Sequence, residues 1–240
     1  MKVALSSIDK DRFGVVTAKV SIEKGESIHG LIDWCAMRAV ELLIARCDTS
    51  EIELVHAMEE AGFQLMDTLV YFLQKAISVH PVILPDDYSW RIASEQDADL
   101  VECCAQMAFK NYSGHYHADP KLSTVDSDLV YSSWARASCL SQPVADAVLL
   151  ICKDDQVVAF LTLKKLNSKS AEIVLNGVHP EYQAHGLYTS LVRLAKNWCS
   201  ENEISQLLVS TQITNTAPQK VWCRQGFEPR NSIYTFHKWF

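Results

Sequence analysis

The apolar positions of this chain change period close to residue 186. Residues 171–178 form a short, largely apolar run, whereas beyond Gly186 the residues Leu187, Leu191, Leu194, Ala195 and Trp198 recur every three or four positions. Arg193, Lys196 and Asn197 fall on the other side of that repeat. The run predicts a strand, and the repeat predicts an amphipathic helix that begins within one turn of Gln183 and carries Lys196 on its polar face. The same reading gives a strand at 89–93 and a helix capped by Ser94 with Asp97 that runs through Phe109. An aromatic and His-rich loop follows over 110–127, then a helix at about 128–137. Next comes a hairpin in which Lys153-Asp154-Asp155-Gln156 joins strands at 147–152 and 157–164. Strands at 206–212 and 233–239 complete an alternation of helix and strand, which is the pattern of a mixed α/β sheet.

Residues 78–87 hold two prolines and the pair Asp86-Asp87, and they read as a linker between a domain at 1–80 and a second at 81–240. The first of these echoes the second. Asp33-Trp34-Cys35, Glu41-Leu42-Leu43-Ile44, Ala61-Gly62-Phe63 and Tyr71-Phe72 follow the order of Asn197-Trp198-Cys199, Gln206-Leu207-Leu208-Val209, Gln225-Gly226-Phe227 and Tyr234-Thr235-Phe236. Both stretches predict helix, strand, helix, Gly-Phe and strand, so the N-terminal part is expected to be a smaller α/β half-copy of the second domain.

Composition narrows the choice of partner. With 48% hydrophobic residues among 240 the chain can bury a full core, and its net charge of −7 comes without any run of Lys or Arg. That excludes a nucleic-acid or membrane-surface role and favours small-molecule chemistry. No apolar stretch is long enough to span a bilayer and Met1-Lys2-Val3-Ala4-Leu5 meets polar Ser6-Ser7 at once, so a cytoplasmic protein is expected. The eight cysteines contain no Cys-x-x-Cys pair and read as small core residues. His115-Tyr116-His117-Ala118-Asp119 has ligand-type side chains, but the spacing supplies no further ligand, and no metal is expected.

The chemistry concentrates at the change of period. A helix start offers N–H groups without intrahelical partners and the positive end of the helix dipole, and Gly186 lets an anion approach the backbone. The segment Val178-His179-Pro180-Glu181-Tyr182-Gln183-x-x-Gly186 resembles the acyl-CoA signature of the GNAT acyltransferase superfamily, in which Gln or Arg, two residues and Gly surround the CoA pyrophosphate. Thr211-Gln212-Ile213-Thr214-Asn215 and Trp222-x-x-x-Gly226-Phe227 extend the resemblance over about residues 88–240. The resemblance implies a GNAT mixed sheet flanked by helices, preceded by a degenerate half-GNAT that binds no CoA and acts as scaffold. It implies acyl-CoA as donor, acetyl-CoA or a larger one such as hydroxybutyryl-CoA, held by Val178, Gln183, Ala184, His185, Gly186, Leu187, Tyr188, Asn215 and Trp222. Two positions depart from the family pattern: Tyr188 stands where Gly or Ala is usual, and Trp222 stands where a Tyr usually protonates the leaving thiolate.

In such enzymes the amine attacks the thioester directly. Strands that splay apart after Gly177 would leave backbone N–H groups near Asn176 to Val178 for the oxyanion. His115, His117, Asp119 and Glu172 are the candidate bases, and Tyr188 or Tyr234 could replace the missing acid, unless solvent protonates the thiolate. Phe109, the segment 113–120 and Tyr131-Ser132-Ser133-Trp134 resemble the acceptor region of nucleotide-sugar N-acyltransferases of the dTDP-fucosamine type, which implies a dTDP-linked 3- or 4-amino-6-deoxyhexose and a place in polysaccharide biosynthesis. Tyr116, His117, Tyr131 and Trp134 would line the acceptor site, with Arg91, Lys110 or Arg136 at a diphosphate. A polyamine, amino acid or peptide acceptor, a non-catalytic acyl-CoA-binding module and a homodimer stay open.

Overall fold

In the computed structural model, which describes residues 2–75, 77, 79, 81–141 and 143–240, the chain is mixed α/β with its sheets flanked by helices. In chain order it forms β1 (Lys2–Ser6), α1 (Ser7–Phe13), β2 (Thr17–Ser21), α2 (Ile28–Ala36), β3 (Leu42–Asp48), α3 (Ile52–Glu60) and β4 (Gln64–Lys75). Then come β5 (Tyr88–Ile92), α4 (Ala98–Ala108), α5 (His115–Ala118), α6 (Thr124–Leu140), β6 (Ala147–Lys153), β7 (Gln156–Lys165) and β8 (Ser170–Val178). The chain finishes with α7 (Leu187–Glu201), β9 (Gln206–Gln212), α8 (Thr216–Arg224) and β10 (Glu228–Trp239). Among the described residues no helix is long and apolar enough to cross a membrane.

The residues group into two compact units that are not consecutive in sequence. Unit 1 holds Met1–Val70, Ser113–Ser127 and Asn231–Phe240, and unit 2 holds Tyr71–Tyr112 and Asp128–Arg230. Strand order in unit 1 is β1-β2-β3-β10-β4, and in unit 2 it is β4-β9-β8-β7-β6-β5, with β4 giving 64–70 to the first and 71–75 to the second. The division drawn at residue 80 describes repeats along the sequence and this grouping describes packing; Ser78 and His80 lie outside the described residues.

The repeat itself is visible as element order: α2-β3-α3-β4 recurs as α7-β9-α8-β10. Gly62 (φ +81°) and Gly226 (φ +89°) end the second helix of each copy, followed by Phe63 N–H donating to Met58 C=O at 3.0 Å and Phe227 N–H to Trp222 C=O at 2.9 Å. Each copy's last strand lies beside the other copy's parallel strand, β10 beside β3 and β4 beside β9. That exchange is why each unit draws on both parts of the chain.

Local chemistry explains most boundaries in unit 2. Ser94 and Asp97 form the capping box that starts a 3-10 turn at Glu95–Asp97 and then α4. Asp154 and Asp155 both adopt positive φ (47° and 62°), as a two-residue primed turn requires between β6 and β7. Val148–Ile151 of β6 and Val157–Leu163 of β7 are buried on both faces, with α4 on one side and α7 on the other. Three expectations need correction. α6 begins at Thr124, inside the stretch read as loop, because Thr and Ser side chains at 124–133 hid the period. β10 begins at Glu228, five residues earlier than expected, because its polar start gives no strand signal. Lys196 is 1% exposed: its Nζ donates to the Gln225 C=O at 3.1 Å, and its stem joins the buried side of α7. Burial lowers its ammonium pKa, with the nearby Arg193 charge adding to the effect.

Candidate active site

The turn from β8 into α7 is built from alternating backbone conformations. After a 3-10 turn at Pro180–Tyr182, Gln183 is extended (φ −69°, ψ 162°), Ala184 is left-handed (φ +65°) and Gly186 is left-handed again (φ +76°). A left-handed alanine stores strain, and such strain is kept where a backbone shape is needed. The first helical hydrogen bond of α7 runs from Ser190 N–H to Gly186 C=O, so the N–H groups of Leu187, Tyr188 and Thr189 face outward with no intrahelical acceptor. The outcome is a concavity of outward N–H groups at the positive end of a 15-residue helix, a shape suited to an anion. A cavity of about 190 Å³ opens there, lined by Val178, Tyr182, Gln183, Ala184, Gly186, Leu187, Tyr188, Thr189 and Val221. Of the residues expected to hold a cofactor, His185, Asn215 and Trp222 are outside this lining; Thr189 and Val221 are additions that no sequence motif marked, and Tyr182 lies in the signature segment without having been expected to hold the cofactor.

Beside this cradle β8 and β9 separate. Their parallel pairing ends at Ile173 opposite Val209, four residues before Gly177, where the splay was expected to start. The cause is a bulge: Val174 and Leu175 of β8 face the single residue Thr162 of β7, and Leu175 N–H donates to the Thr162 hydroxyl at 3.0 Å. A bulge bends its strand and raises its twist, which carries the end of β8 away from β9. Past the bulge His179 N–H donates to Val158 C=O at 2.8 Å. The alternation of an antiparallel ladder then turns the Asn176 and Val178 N–H groups away from β7, toward the opened side. The Val178 C=O points the same way and accepts from Gln183 Nε2 at 3.3 Å. Gly177 is needed here because a Cβ would lie 2.8 Å from Ala108 Cβ and 3.1 Å from the Phe160 ring.

The far end of the opening is aromatic. Phe109 and Tyr131 stack at 4.9 Å, Tyr112 meets Tyr131 edge-on at 4.9 Å, and the Tyr112 hydroxyl donates to Gln212 Oε1 at the end of β9. Tyr131 is therefore in the same unit as the cradle, as is the exposed Trp134 on α6. Trp222 is buried against Phe72 and donates its Nε1–H to the Tyr188 hydroxyl at 2.7 Å. Burial raises the Tyr188 phenol well above its ordinary pKa, although the Trp222 hydrogen bond works in the opposite direction. Asn215 does not cap α8; its Nδ2 donates to Thr211 Oγ1 at 2.9 Å. Glu172 lies in the part of β8 paired on both sides, before the bulge. Arg91 is committed to Asp97 through bonds of 2.7 and 2.6 Å, and Arg136 pairs with Asp99 and Glu102.

The remaining candidates belong to unit 1. Asp119 Oδ2 is 2.6 Å from His237 Nδ1, and His237 Nε2 is 2.9 Å from His115 Nδ1. Burial alone would raise the Asp119 carboxyl, but hydrogen bonds from His237, Lys121 N–H and Trp239 leave it below its usual pKa. An ionised Asp119 can only accept, so His237 donates from Nδ1 and accepts at Nε2 from His115 Nδ1–H. His115 Nε2 is thereby left as a lone pair, with no hydrogen bond among the described residues. Burial, then His237, Arg46, Lys19 and His117, push the His115 pKa well below that of a free imidazole, so it is neutral. The Tyr116 hydroxyl donates to Asp9 Oδ1 at 2.8 Å and accepts from Lys19 Nζ at 2.9 Å, and Lys19 pairs with Asp9 at 2.6 Å. His117 Nδ1 accepts from Gly114 N–H at 3.2 Å. Tyr234 packs beside Phe236 against the apolar core of this unit. His237 went unnoticed in the sequence; the signal was the alternation of polar Thr235 and His237 with Tyr234 and Phe236.

Residues 114–227 match the acetyltransferase (GNAT) family. The bulged, splayed strands and the cradle at α7 lie within the matched residues, and with that match they support an acyl-CoA-dependent N-acyltransferase of the GNAT type. A curated relative, dTDP-fucosamine acetyltransferase from Escherichia coli O6:H1, is 24% identical over 94% of this chain and 93% of its own. Among solved structures, a GCN5-related N-acetyltransferase from Sphaerobacter thermophilus superposes with a TM-score of 0.67 at 13% identity, covering 99% of this chain and 76% of that one. A tandem GNAT protein from the clavulanic acid biosynthesis pathway gives 0.63 at 14% identity, with coverage of 94% and 76%. At these identities the two structures establish a shared fold.

Proposed function

We propose that this protein transfers an acetyl group from acetyl-CoA to the amine of a dTDP-linked 3- or 4-amino-6-deoxyhexose. The observation that carries the donor half is the cradle with its three outward N–H groups, set beside strands that part at Ile173. The acceptor half is supported by the similarity to dTDP-fucosamine acetyltransferase along nearly the whole chain. Leu187 to Thr189 N–H groups would take the pyrophosphate, and the open Asn176 and Val178 N–H groups would hold the pantetheine arm and the thioester oxygen. The Gln183 side chain would yield its 3.3 Å contact with Val178 C=O to a ligand amide. The incoming ammonium must give up a proton to a base or to solvent before it can attack. The neutral amine then attacks the thioester carbonyl, the carbon–sulfur bond breaks, and the Tyr188 hydroxyl, held by Trp222, hydrogen-bonds the departing thiolate. Residues 1–80 serve as a non-catalytic scaffold: β2 and β3 stay paired to Ser21 and Arg46, followed by Ile22 N–H to Arg46 C=O at 2.8 Å, so no gap like that of β8 and β9 opens. The free thiols and the acyl-CoA donor suit a reducing cytoplasm.

A thiol-release assay with acetyl-CoA against dTDP-amino sugars, polyamines and amino acids tests the proposal. Saturable release with a dTDP-amino sugar is expected. Release with a polyamine or an amino acid and none with any nucleotide sugar would overturn the acceptor assignment.

A further inference from the structure

Past their last paired residues, Ile173 and Val209, the ends of β8 and β9 are joined again, this time through side chains. The join begins at Gly177 of β8. A Cβ there would lie 2.8 Å from Ala108 Cβ, 3.1 Å from the Phe160 ring and 3.7 Å from the Phe109 ring, so these three side chains already fill the α4 face of the strand. Phe109 meets Tyr112 edge-on at 5.4 Å, and Tyr131 of α6 packs against both rings at 4.9 Å. The Tyr112 hydroxyl then donates to Oε1 of the buried Gln212, the last residue of β9. Gly177, Phe109, Tyr112 and Gln212 thus make a continuous bridge from one parted strand to the other, and every member belongs to unit 2.

Aromatic rings gathered under a sheet are ordinary core packing; the hydrogen bond that ends on the opposite strand sets this cluster apart. A ring held by packing alone can turn aside to admit an extra carbon. Tyr112 is tied: moving it would strand the amide oxygen of a buried glutamine, which is costly. The bridge also stands at the reacting end of the donor. The open Asn176 and Val178 N–H groups, which would hold the pantetheine arm and the thioester oxygen, flank Gly177 on the strand, so the acyl carbons of a donor held there lie beside the bridge. Acetyl carries a single carbon beyond its carbonyl. Each further methylene needs volume that Phe109 and Tyr112 occupy, and in an apolar pocket one methylene is worth about 10- to 200-fold in discrimination.

We infer that Tyr112, tied to Gln212 and backed by Phe109 and Tyr131, is the stop that limits the donor to a short acyl group, acetyl before any longer one. Resting on the acyl-transfer reading above, this names the residue that sets donor length. The experiment measures kcat/KM on the full chain for acetyl-, propionyl- and butyryl-CoA, with whichever amine of the panel supports turnover, in the unaltered protein, Tyr112→Phe and Tyr112→Ala. The unaltered protein should lose about tenfold or more for each added methylene, and Tyr112→Ala should bring the three donors within about threefold of one another. Tyr112→Phe, which keeps the ring and loses its tie, should fall between them. A variant that only packs less well lowers all three donors alike, and that unchanged ratio in Tyr112→Ala overturns the stop. Use of butyryl-CoA by the unaltered protein within about threefold of acetyl-CoA overturns it too. If no amine is acylated, the transfer reading falls by itself, and calorimetric affinities for acetyl-CoA and butyryl-CoA decide the stop through the same ratios. Binding of neither donor overturns both.

Discussion

An indole N–H can only donate, so the 2.7 Å bond from Trp222 fixes the Tyr188 oxygen as acceptor and turns the phenolic proton elsewhere. Each of these residues departs from the family pattern when read alone, and together they bring a phenol from α7 against the indole of α8. Burial holds that phenol protonated, so under the proposed mechanism it would donate to the thiolate. Tyr188→Phe should therefore raise the pKa of the thiol in bound CoA by about one unit and lower kcat roughly tenfold, with little change in acetyl-CoA KM. Ultraviolet titration of the complex gives the first, and steady-state kinetics the second. His115 makes a different prediction. Its folded pKa lies well below the unfolded value of about 6.5, so its contribution to stability is present above pH 6.5 and is lost as pH falls below that value. His237 is shifted in the same direction, by burial against the pull of Asp119. Melting temperatures should drop between pH 7 and pH 5, by about 1.4 kcal/mol of stability per pH unit for each histidine forced to charge, and His115→Gln should flatten that slope.

At the scale of the element, β8 does the deciding. Its apolar run was readable, and so were the Gly-containing turn after it and the periodicity of α7. The bulge was not, because Val174 and Leu175 look like any two strand residues and become a bulge only when both face Thr162. The opening therefore starts earlier than Gly177 would suggest, and Gly177 has another task. It admits Ala108 and Phe160 to van der Waals contact with the strand, which fixes α4 over the opened end. Gly177→Ala should force α4 away and cost about 1–3 kcal/mol, read as a lowered melting temperature. Acetyl-CoA binding, measured by calorimetry, should weaken with it, since Asn176 and Val178 sit on either side.

For the molecule as a whole, the exchange of last strands matters most. Unit 2 takes residues 71–75 of β4 beside β9, and unit 1 takes Asn231–Phe240 of β10 beside β3. A fragment of residues 81–240 would lack its β4 neighbour and present β9 as a bare edge. Expressed alone it should aggregate or fail to bind acetyl-CoA, and co-expression with residues 1–80 should restore both. A soluble 81–240 fragment with full acetyl-CoA affinity would show that the scaffold is dispensable.

The sequence by itself determined what depends on neighbours in the chain: the α/β alternation, the hairpin at Asp154-Asp155, the capping box at Ser94, the repeat of helix, strand and Gly-Phe, and the Gly-containing turn that opens α7. Such features follow from turn chemistry and hydrophobic period, which a short window contains. Only the tertiary structure decided which residues face one another across long separations. The pairing of Tyr188 with Trp222, the relay from Asp119 through His237 to His115 and the burial of Lys196 all depend on which elements lie side by side. Strand pairing is set by the cooperative packing of many elements, and no local pattern records that β10 returns to lie beside β3.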